Sequence, residues 1–188
     1  MRKTIFVILI IVILFIIAVV ISSFSNPEEE QKPEDKICAD CSITSFEECV
    51  AAGNPVMESY PRQCRVGGQL FVEDIGNELE KMDLIVLDNP RPNQEIESPL
   101  IVQGRARGYW FFEGDFPVVL VDWDGLIIAQ AVAQAKSDWM TEDFVEFEAV
   151  LEFEEPDYSN KGALILQKDN PSGLPENNDA LEIPIIFK

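Results

Sequence analysis

Residues Ile5 to Ile21 are seventeen consecutive apolar side chains. At about 1.5 Å per helical residue, this run covers most of a hydrocarbon core about 30 Å thick. Arg2 and Lys3 precede the run and an acidic segment follows it, so the positive-inside rule places the amino terminus in the cytoplasm. We therefore predict a cytoplasmic stub and transmembrane signal anchor over 1–24, with the rest of the chain extracytoplasmic at the cell membrane. A cleaved signal peptide is the alternative, although its apolar region is usually about 7–15 residues long.

Residues Asn26 to Lys36 are rich in proline and acidic residues and include no large apolar side chain, so we predict a flexible acidic spacer over 25–37. All four cysteines follow within 38–73, a stretch too short for an ordinary hydrophobic core. Outside the cytoplasm such thiols are expected as disulfides. Of the three possible pairings we favour Cys49 with Cys64, which leaves Cys38 with Cys41.

Within this cysteine-rich module, Ser45 and Glu48 have the spacing of a capping box and Gly53 lies where a helix would end. This pattern predicts a short helix from Phe46 to Ala52. Two short strands, Val56 to Tyr60 and Gln69 to Glu73, are predicted around Gly67-Gly68. The polar segment 74–83 is predicted to be a linker or a short helix.

From Leu84 onward, short β-branched and aromatic runs alternate with turn residues and show no sustained helical period. This pattern predicts an all-β fold, an antiparallel sandwich over 84–188. Asp122-Trp123-Asp124-Gly125 is predicted to close a hairpin, and Pro184 to lie at a sheet edge or a bulge. The seven runs lie at 84–87, 100–108, 117–122, 125–133, 144–153, 163–167 and 181–187.

This third region resembles the immunoglobulin-like domain found beside GerMN domains in bacterial spore-germination proteins, and the resemblance implies an immunoglobulin-like sandwich. The cysteine-rich segment, through 45–49 and 53–64, resembles a short segment that precedes such domains in bacterial envelope proteins. The motifs that carry the first likeness are Asn89-Pro90-Arg91-Pro92-Asn93, the run 96–106, Phe111-Phe112-Glu113-Gly114, the turn 122–125, the segment 139–144 and the segment 170–175.

Composition excludes several functional classes. The chain has no histidine, which removes serine triads, cysteine-histidine dyads and the commonest zinc ligand. The net charge of −20 repels nucleic acid. We therefore expect no enzyme and no cofactor.

Three groups of residues are candidates for a site. Cys38 and Cys41 have redox or metal spacing, but without a βαβ context or a second close pair they are interpreted as structural. A second candidate is the aromatic run Tyr109, Trp110, Phe111 and Phe112. If the run is extended, its side chains cannot all face one core, so part of it, with Trp139, is a candidate partner-binding surface. The alternative is that these aromatic side chains cover the open end of the sandwich. Asp115, Asp122 and Asp124 are weak calcium candidates, for which turn formation is the favoured interpretation.

These patterns together predict a membrane-anchored, non-catalytic binding module of the bacterial cell envelope. Its expected partner is an envelope protein or cell-wall glycan. A passive structural spacer and, more remotely, a calcium-binding adhesion-type module are the alternatives.

Overall fold

A computed structural model of the chain describes residues 43–188. The predicted anchor, the spacer and the pair Cys38 and Cys41 lie outside these residues. In the described part, no helix has the length and apolar character needed to cross a membrane.

The cysteine-rich region forms a helix and a small sheet. The helix α1 spans Phe46–Ala51 and is followed by β1 (Val56–Met57), β2 (Gln63–Val66) and β3 (Gln69–Val72). Ser45 caps α1, because its side chain accepts a hydrogen bond from the Glu48 backbone N–H. The second predicted strand is confirmed as β3, whereas β2 was not predicted. Gly67 and Gly68, both with positive φ, form the turn that joins β2 to β3.

A disulfide between Cys49 and Cys64 links α1 to β2, which confirms this one of the two predicted bridges. Both cysteines are fully buried and, with Phe46 and Phe71, make up the buried residues of this small core. Half of the core is therefore the crosslink itself. Val50, four residues after the buried Phe46, is exposed.

After the short helix α2 (Glu78–Lys81), eight strands form one hydrogen-bonded ladder in the order β4-β6-β9-β8-β7-β10-β11-β5. All seven predicted runs are strands, and β5 is an additional one. The strands are β4 (Ile85–Asn89), β5 (Glu95–Ile96), β6 (Leu100–Arg107), β7 (Asp115–Asp122), β8 (Ile127–Ala135), β9 (Phe144–Leu151), β10 (Lys161–Gln167) and β11 (Ala180–Phe187).

The ladder curls into two facing layers, β4-β6-β9 and β8-β7-β10-β11-β5. The layers are joined only at two residue pairs, Gln134 with Glu148 and Ala135 with Phe147. Side chains from both layers share one core, as shown by the ring contact of Phe116 in β7 with Phe147 in β9 at 4.9 Å. The result is a sandwich with mainly antiparallel pairing, in which β5 runs parallel to β11.

Pro184 lies in β11, which is not the last strand of the ladder. It is paired with Ala163 of β10, whereas β5 reaches only Ile186 and Phe187. The missing N–H therefore falls where β11 has a strand partner on one side only, which accommodates the proline without a bulge.

Candidate functional site

A cleft of about 800 Å³ separates the cysteine-rich region from the outer face of the sandwich. Its apolar lining includes Val121 of β7 and Ala163 of β10, which are paired neighbours in the sheet. Phe46 lines the cleft from α1, and Trp123 lines it from the β7–β8 turn with 62% of its surface exposed. An exposed tryptophan beside an apolar face is the kind of feature that anchors a binding partner.

The charged residues of the cleft are mainly acidic. Within residues 43–188, the charged residues of the cleft that form no ion pair are Glu47, Asp74, Asp122, Glu182 and Lys161, whereas the guanidinium of Arg62 pairs with Glu73. A ligand with basic groups beside an apolar side chain therefore complements this cleft better than an anionic one.

The Arg62 and Glu73 pair sets one wall of the cleft. The guanidinium donates to both oxygens of the carboxylate, at 2.8 and 2.5 Å, and stacks over the ring of Phe46 at 5.4 Å. These hydrogen bonds hold the pKa of Glu73 below its usual value even though its side chain is almost fully buried. Asn93 donates to the same carboxylate at 3.3 Å and to the Asp74 carbonyl at 2.7 Å, which connects the module to the sandwich.

A second polar contact joins the two parts nearby. Arg91 forms an ion pair with Glu78 at 2.6 Å, and the side chain of Glu78 is only 8% exposed. The hydroxyl of Tyr60 donates to Glu78 and accepts from Arg91 at 2.9 Å. A buried carboxylate needs this full set of partners, so the contact fixes the position of the chain on both sides of it.

Asn77 anchors the segment before α2 to the edge of β11. Its backbone N–H donates to the Glu182 carbonyl at 3.1 Å, and its side chain accepts from the Glu182 N–H at 2.8 Å and donates to the Ala180 carbonyl at 3.0 Å. One residue thus supplies the hydrogen bonds that a neighbouring strand would make. The predicted linker 74–83 is packed on the sandwich through this residue.

The three calcium candidates do not come together. Asp115 and Asp122 are the first and last residues of β7, so the strand separates them by about 23 Å. Asp122 forms the turn instead, because its carboxylate accepts the backbone N–H groups of Asp124 and Leu126 at 2.9 and 2.8 Å. Its other oxygen accepts from the Tyr158 hydroxyl, which lowers the pKa of Asp122 and raises that of Tyr158. Among residues 43–188 no cluster of three or more potential metal-binding side chains is found.

The aromatic run 109–112 is not an extended strand. Gly108 to Trp110 form a 3-10 helix, and this turn directs Trp110 and Phe111 into the core, with 0% and 4% exposure. These two residues are therefore structural, which corrects their proposed role in partner binding. Tyr109 and Phe112 remain about half exposed, and Trp139 packs against Gly114 and the main core.

The cleft was not predicted from the sequence, because its lining comes from segments more than a hundred residues apart. Two carboxylates near the cleft, those of Glu73 and Glu78, are buried. Nothing in the sequence around them indicates this burial.

The strand order identifies the class of protein. Layers β4-β6-β9 and β8-β7-β10-β11 correspond to the A-B-E and C′-C-F-G sheets of an immunoglobulin-like sandwich. Residues 84–173 match the family described as immunoglobulin-like domain of bacterial spore germination. The match starts just before β4 and includes the Asn89 to Asn93 motif, whose Arg91 and Asn93 contact the module. No curated protein and no solved structure matches the chain.

Proposed function

We propose that the protein is a non-catalytic binding module of the bacterial cell envelope, anchored in the membrane through 1–24 with its folded part outside. Its partner is another envelope protein, bound in the cleft between the cysteine-rich region and the sandwich. The observation that carries the proposal is the exposed Trp123 beside the apolar floor of that cleft. An exposed tryptophan that borders an apolar cleft is a feature of binding surfaces, and a passive spacer does not require one.

The position of the cleft supports this role because its two walls are held rigidly. A disulfide crosslinks one wall, and contacts of Asn93, Glu78 and Asn77 join that wall to the sandwich. A preformed cleft loses less conformational entropy when it binds.

The chemistry of the cleft defines the partner. The apolar floor accepts one or two apolar side chains, and the unpaired carboxylates around it favour neighbouring lysine or arginine. A polypeptide segment offers this combination, whereas nucleic acid and other polyanions are repelled by a chain of net charge −20. Exposed Tyr109 and Phe112, at the other end of β7, offer a second aromatic surface that suits a sugar ring, so cell-wall glycan remains the second candidate.

Photocrosslinking in cells that express the full chain tests the proposal. A photoreactive phenylalanine analogue at Trp123 is expected to give a discrete adduct with one envelope protein. The matched control carries the analogue at Met140, which is 77% exposed but lies outside the cleft, and should give none. Equal adducts at both positions, or none at 123, would contradict binding in the cleft.

The compartment is tested separately. The thiols of the full chain are titrated after membrane fractionation, with and without prior reduction. We expect the chain in the membrane fraction with its cysteines unreactive until reduced. Recovery from the soluble cytoplasmic fraction with free thiols would refute the anchored, extracytoplasmic location.

A further inference from the structure

The small sheet of the cysteine-rich region has one covered face and one open face. Its strands β1, β2 and β3 lie side by side, and successive side chains along each strand point to opposite faces. Cys64 of β2 and Phe71 of β3 are paired across the sheet and are buried with Phe46 and Cys49 of α1. The positions between them therefore point away from α1. We call the surface formed by these positions the outer face, and its side chains are Met57, Gln63, Arg65, Leu70 and Val72.

The outer face is mostly apolar and open to solvent. The strand register places Met57, Gln63 and Val72 in one row across the three strands, with Arg65 and Leu70 in the next row. Met57, Leu70 and Val72 are 38%, 42% and 50% exposed. Neighbouring exposed apolar side chains, unlike single ones, are a feature of contact surfaces. None of the five residues lines the cleft, so the outer face is a separate candidate surface.

The charge of the outer face differs from that of the chain. The net charge of the chain is −20, yet none of the five side chains is acidic. Among residues 43–188, Arg65 forms no ion pair. Glu73, next to Val72 in the sequence, lies on the α1 side in its pair with Arg62. Apolar side chains beside an unpaired cation complement a lipid surface, which offers acyl chains and phosphate groups.

The size of the outer face decides between a lipid surface and a protein partner. Three strands about 4.8 Å apart, with up to four residues each at about 3.3 Å, give an area of roughly 200 Å². A stable protein interface covers about 800 Å² on each partner, so the outer face is too small for one. A lipid surface has no such minimum when the chain is already attached to it, because attachment makes even a weak contact effective.

The position of the outer face in the chain also favours lipid. Ile43, the first described residue, packs against the small core of the cysteine-rich region. The predicted anchor ends at 24, so the 18 residues 25–42 separate it from this region. At full extension they span at most about 65 Å. The cysteine-rich region is therefore the described part that follows the anchor most closely along the chain.

We propose that the outer face rests on the outer surface of the bilayer that anchors the chain. Met57, Leu70 and Val72 lie at the boundary of headgroups and acyl chains, and Arg65 binds a lipid phosphate. This inference rests on the proposed anchor but not on the proposed cleft partner. Phe46 and Arg62 line the cleft from the α1 side of the sheet, so contact of the opposite face with lipid leaves the cleft accessible.

Spin labelling of the full chain in nanodiscs tests the contact. The discs are made of phosphatidylcholine and carry one chain each, so that a second copy cannot cover the face. A nitroxide is attached at Val72→Cys, and the matched control is Val150→Cys, a strand valine of the sandwich with 53% exposure. Oxygen enters the lipid boundary and a polar nickel complex does not, so the ratio of oxygen to nickel collisions at 72 should exceed that at 150 by about threefold or more. Wild-type chain treated with the same reagent measures any label on native cysteines.

The outcomes separate this inference from the proposed function. Chain that inserts into the discs but gives equal ratios at both positions overturns the lipid contact and leaves the anchor and the cleft intact. Chain that fails to insert overturns the anchor and the contact together. Low accessibility at 72 to both oxygen and nickel would show that protein covers the face, and this result also overturns the contact.

A charge variant provides a second measurement. Leu70→Asp places a carboxylate on the outer face, where contact with lipid would desolvate it, and should return the ratio at 72 to that at 150. Ile101→Asp makes the same change at a position of similar exposure, paired with Val150 in the sandwich, and should leave the ratio at 72 unchanged. Neither residue belongs to a buried core, so both variants are expected to fold. Equal effects of the two aspartates, or no effect of either, would overturn the inference.

Discussion

Removal of the Cys49–Cys64 disulfide should unfold the cysteine-rich region and leave the sandwich folded. The variant replaces both cysteines with alanine, so that no free thiol is left to mispair. The crosslink closes a loop with a sequence separation of 15, for which the loss of chain entropy in the unfolded state corresponds to roughly 3 kcal/mol. Segment 43–73 is well below the length of about 40 residues at which a domain folds without a crosslink, so this loss should exceed what its small core can supply.

Hydrogen exchange of the full chain measures the effect at named amides. The Cys49 and Ala52 positions donate to the carbonyls of Ser45 and Glu48 at 3.1 and 3.0 Å, so their protection reports the closed helix α1. A loss of roughly 3 kcal/mol corresponds to an increase in exchange of about a hundredfold. Amides of β6 and β9 serve as the internal control, because the main core contains neither cysteine.

Two results would refute this reasoning. Unchanged protection of α1 would show that the packing of Phe46 and Phe71 holds the region without the crosslink. An equal loss of protection in β6 and β9 would show that the two cores unfold as one cooperative unit. A variant with Met140→Ala, far from the disulfide in the sequence and highly exposed, should show neither change.

Three further changes test other parts of the fold. Gly104→Ala should lower the free energy of unfolding by about 1–3 kcal/mol, because the added Cβ would lie 2.2 Å from the Val86 carbonyl oxygen; a melting temperature equal to wild type would contradict this packing. Asn77→Ala removes two side-chain hydrogen bonds to β11 and should cost about 1–3 kcal/mol, measured by urea unfolding; a stability equal to wild type would argue against these hydrogen bonds. Arg62 lowers the pKa of Glu73, so the stability contributed by this pair is complete above about pH 4.5 and is lost as the pH falls through the lowered pKa. Hydrogen exchange of the amides near Glu73 should therefore become faster in acid. Glu73→Gln should make that exchange less dependent on pH.

Elements governed by neighbouring residues could be predicted from the sequence. The capping side chain of Ser45 and the glycine at 53 define α1 within one residue of the predicted end. The alternation of Val145, Phe147, Ala149 and Leu151 with exposed positions defines β9, and these four residues are buried as the alternation requires. Both patterns depend on local geometry alone.

The prediction that residues 109–112 form an extended, partly exposed run was wrong because their conformation depends on a segment distant in the sequence. Alternation over 109–112 assumes an extended backbone, but Gly108 lies so close to the segment 139–141 that a Cβ there would meet the Thr141 carbonyl oxygen at 2.0 Å. The chain turns at this contact into a 3-10 helix, which brings Trp110 into the core. Strand β2 was missed because it is only four residues long. Gln63-Cys64-Arg65-Val66 alternates polar and apolar side chains, but the strand is held by the disulfide and by β3.

The Asn89 to Asn93 motif shows why the module and the sandwich depend on each other unequally. It connects β4 in one layer to β5 in the other, and Asn93 takes a positive φ of 61° as the chain passes between them. From this crossing Arg91 reaches Glu78, whose side chain is 8% exposed against 43% for the arginine. If the segment carrying Glu78 detached, the buried carboxylate would gain water, and the arginine, already half in water, would lose little. Glu73, the buried carboxylate of the cysteine-rich region, likewise accepts a hydrogen bond from Asn93 of the sandwich. The core of the sandwich includes none of these residues, so the sandwich can persist without the region, whereas the region would lose these contacts.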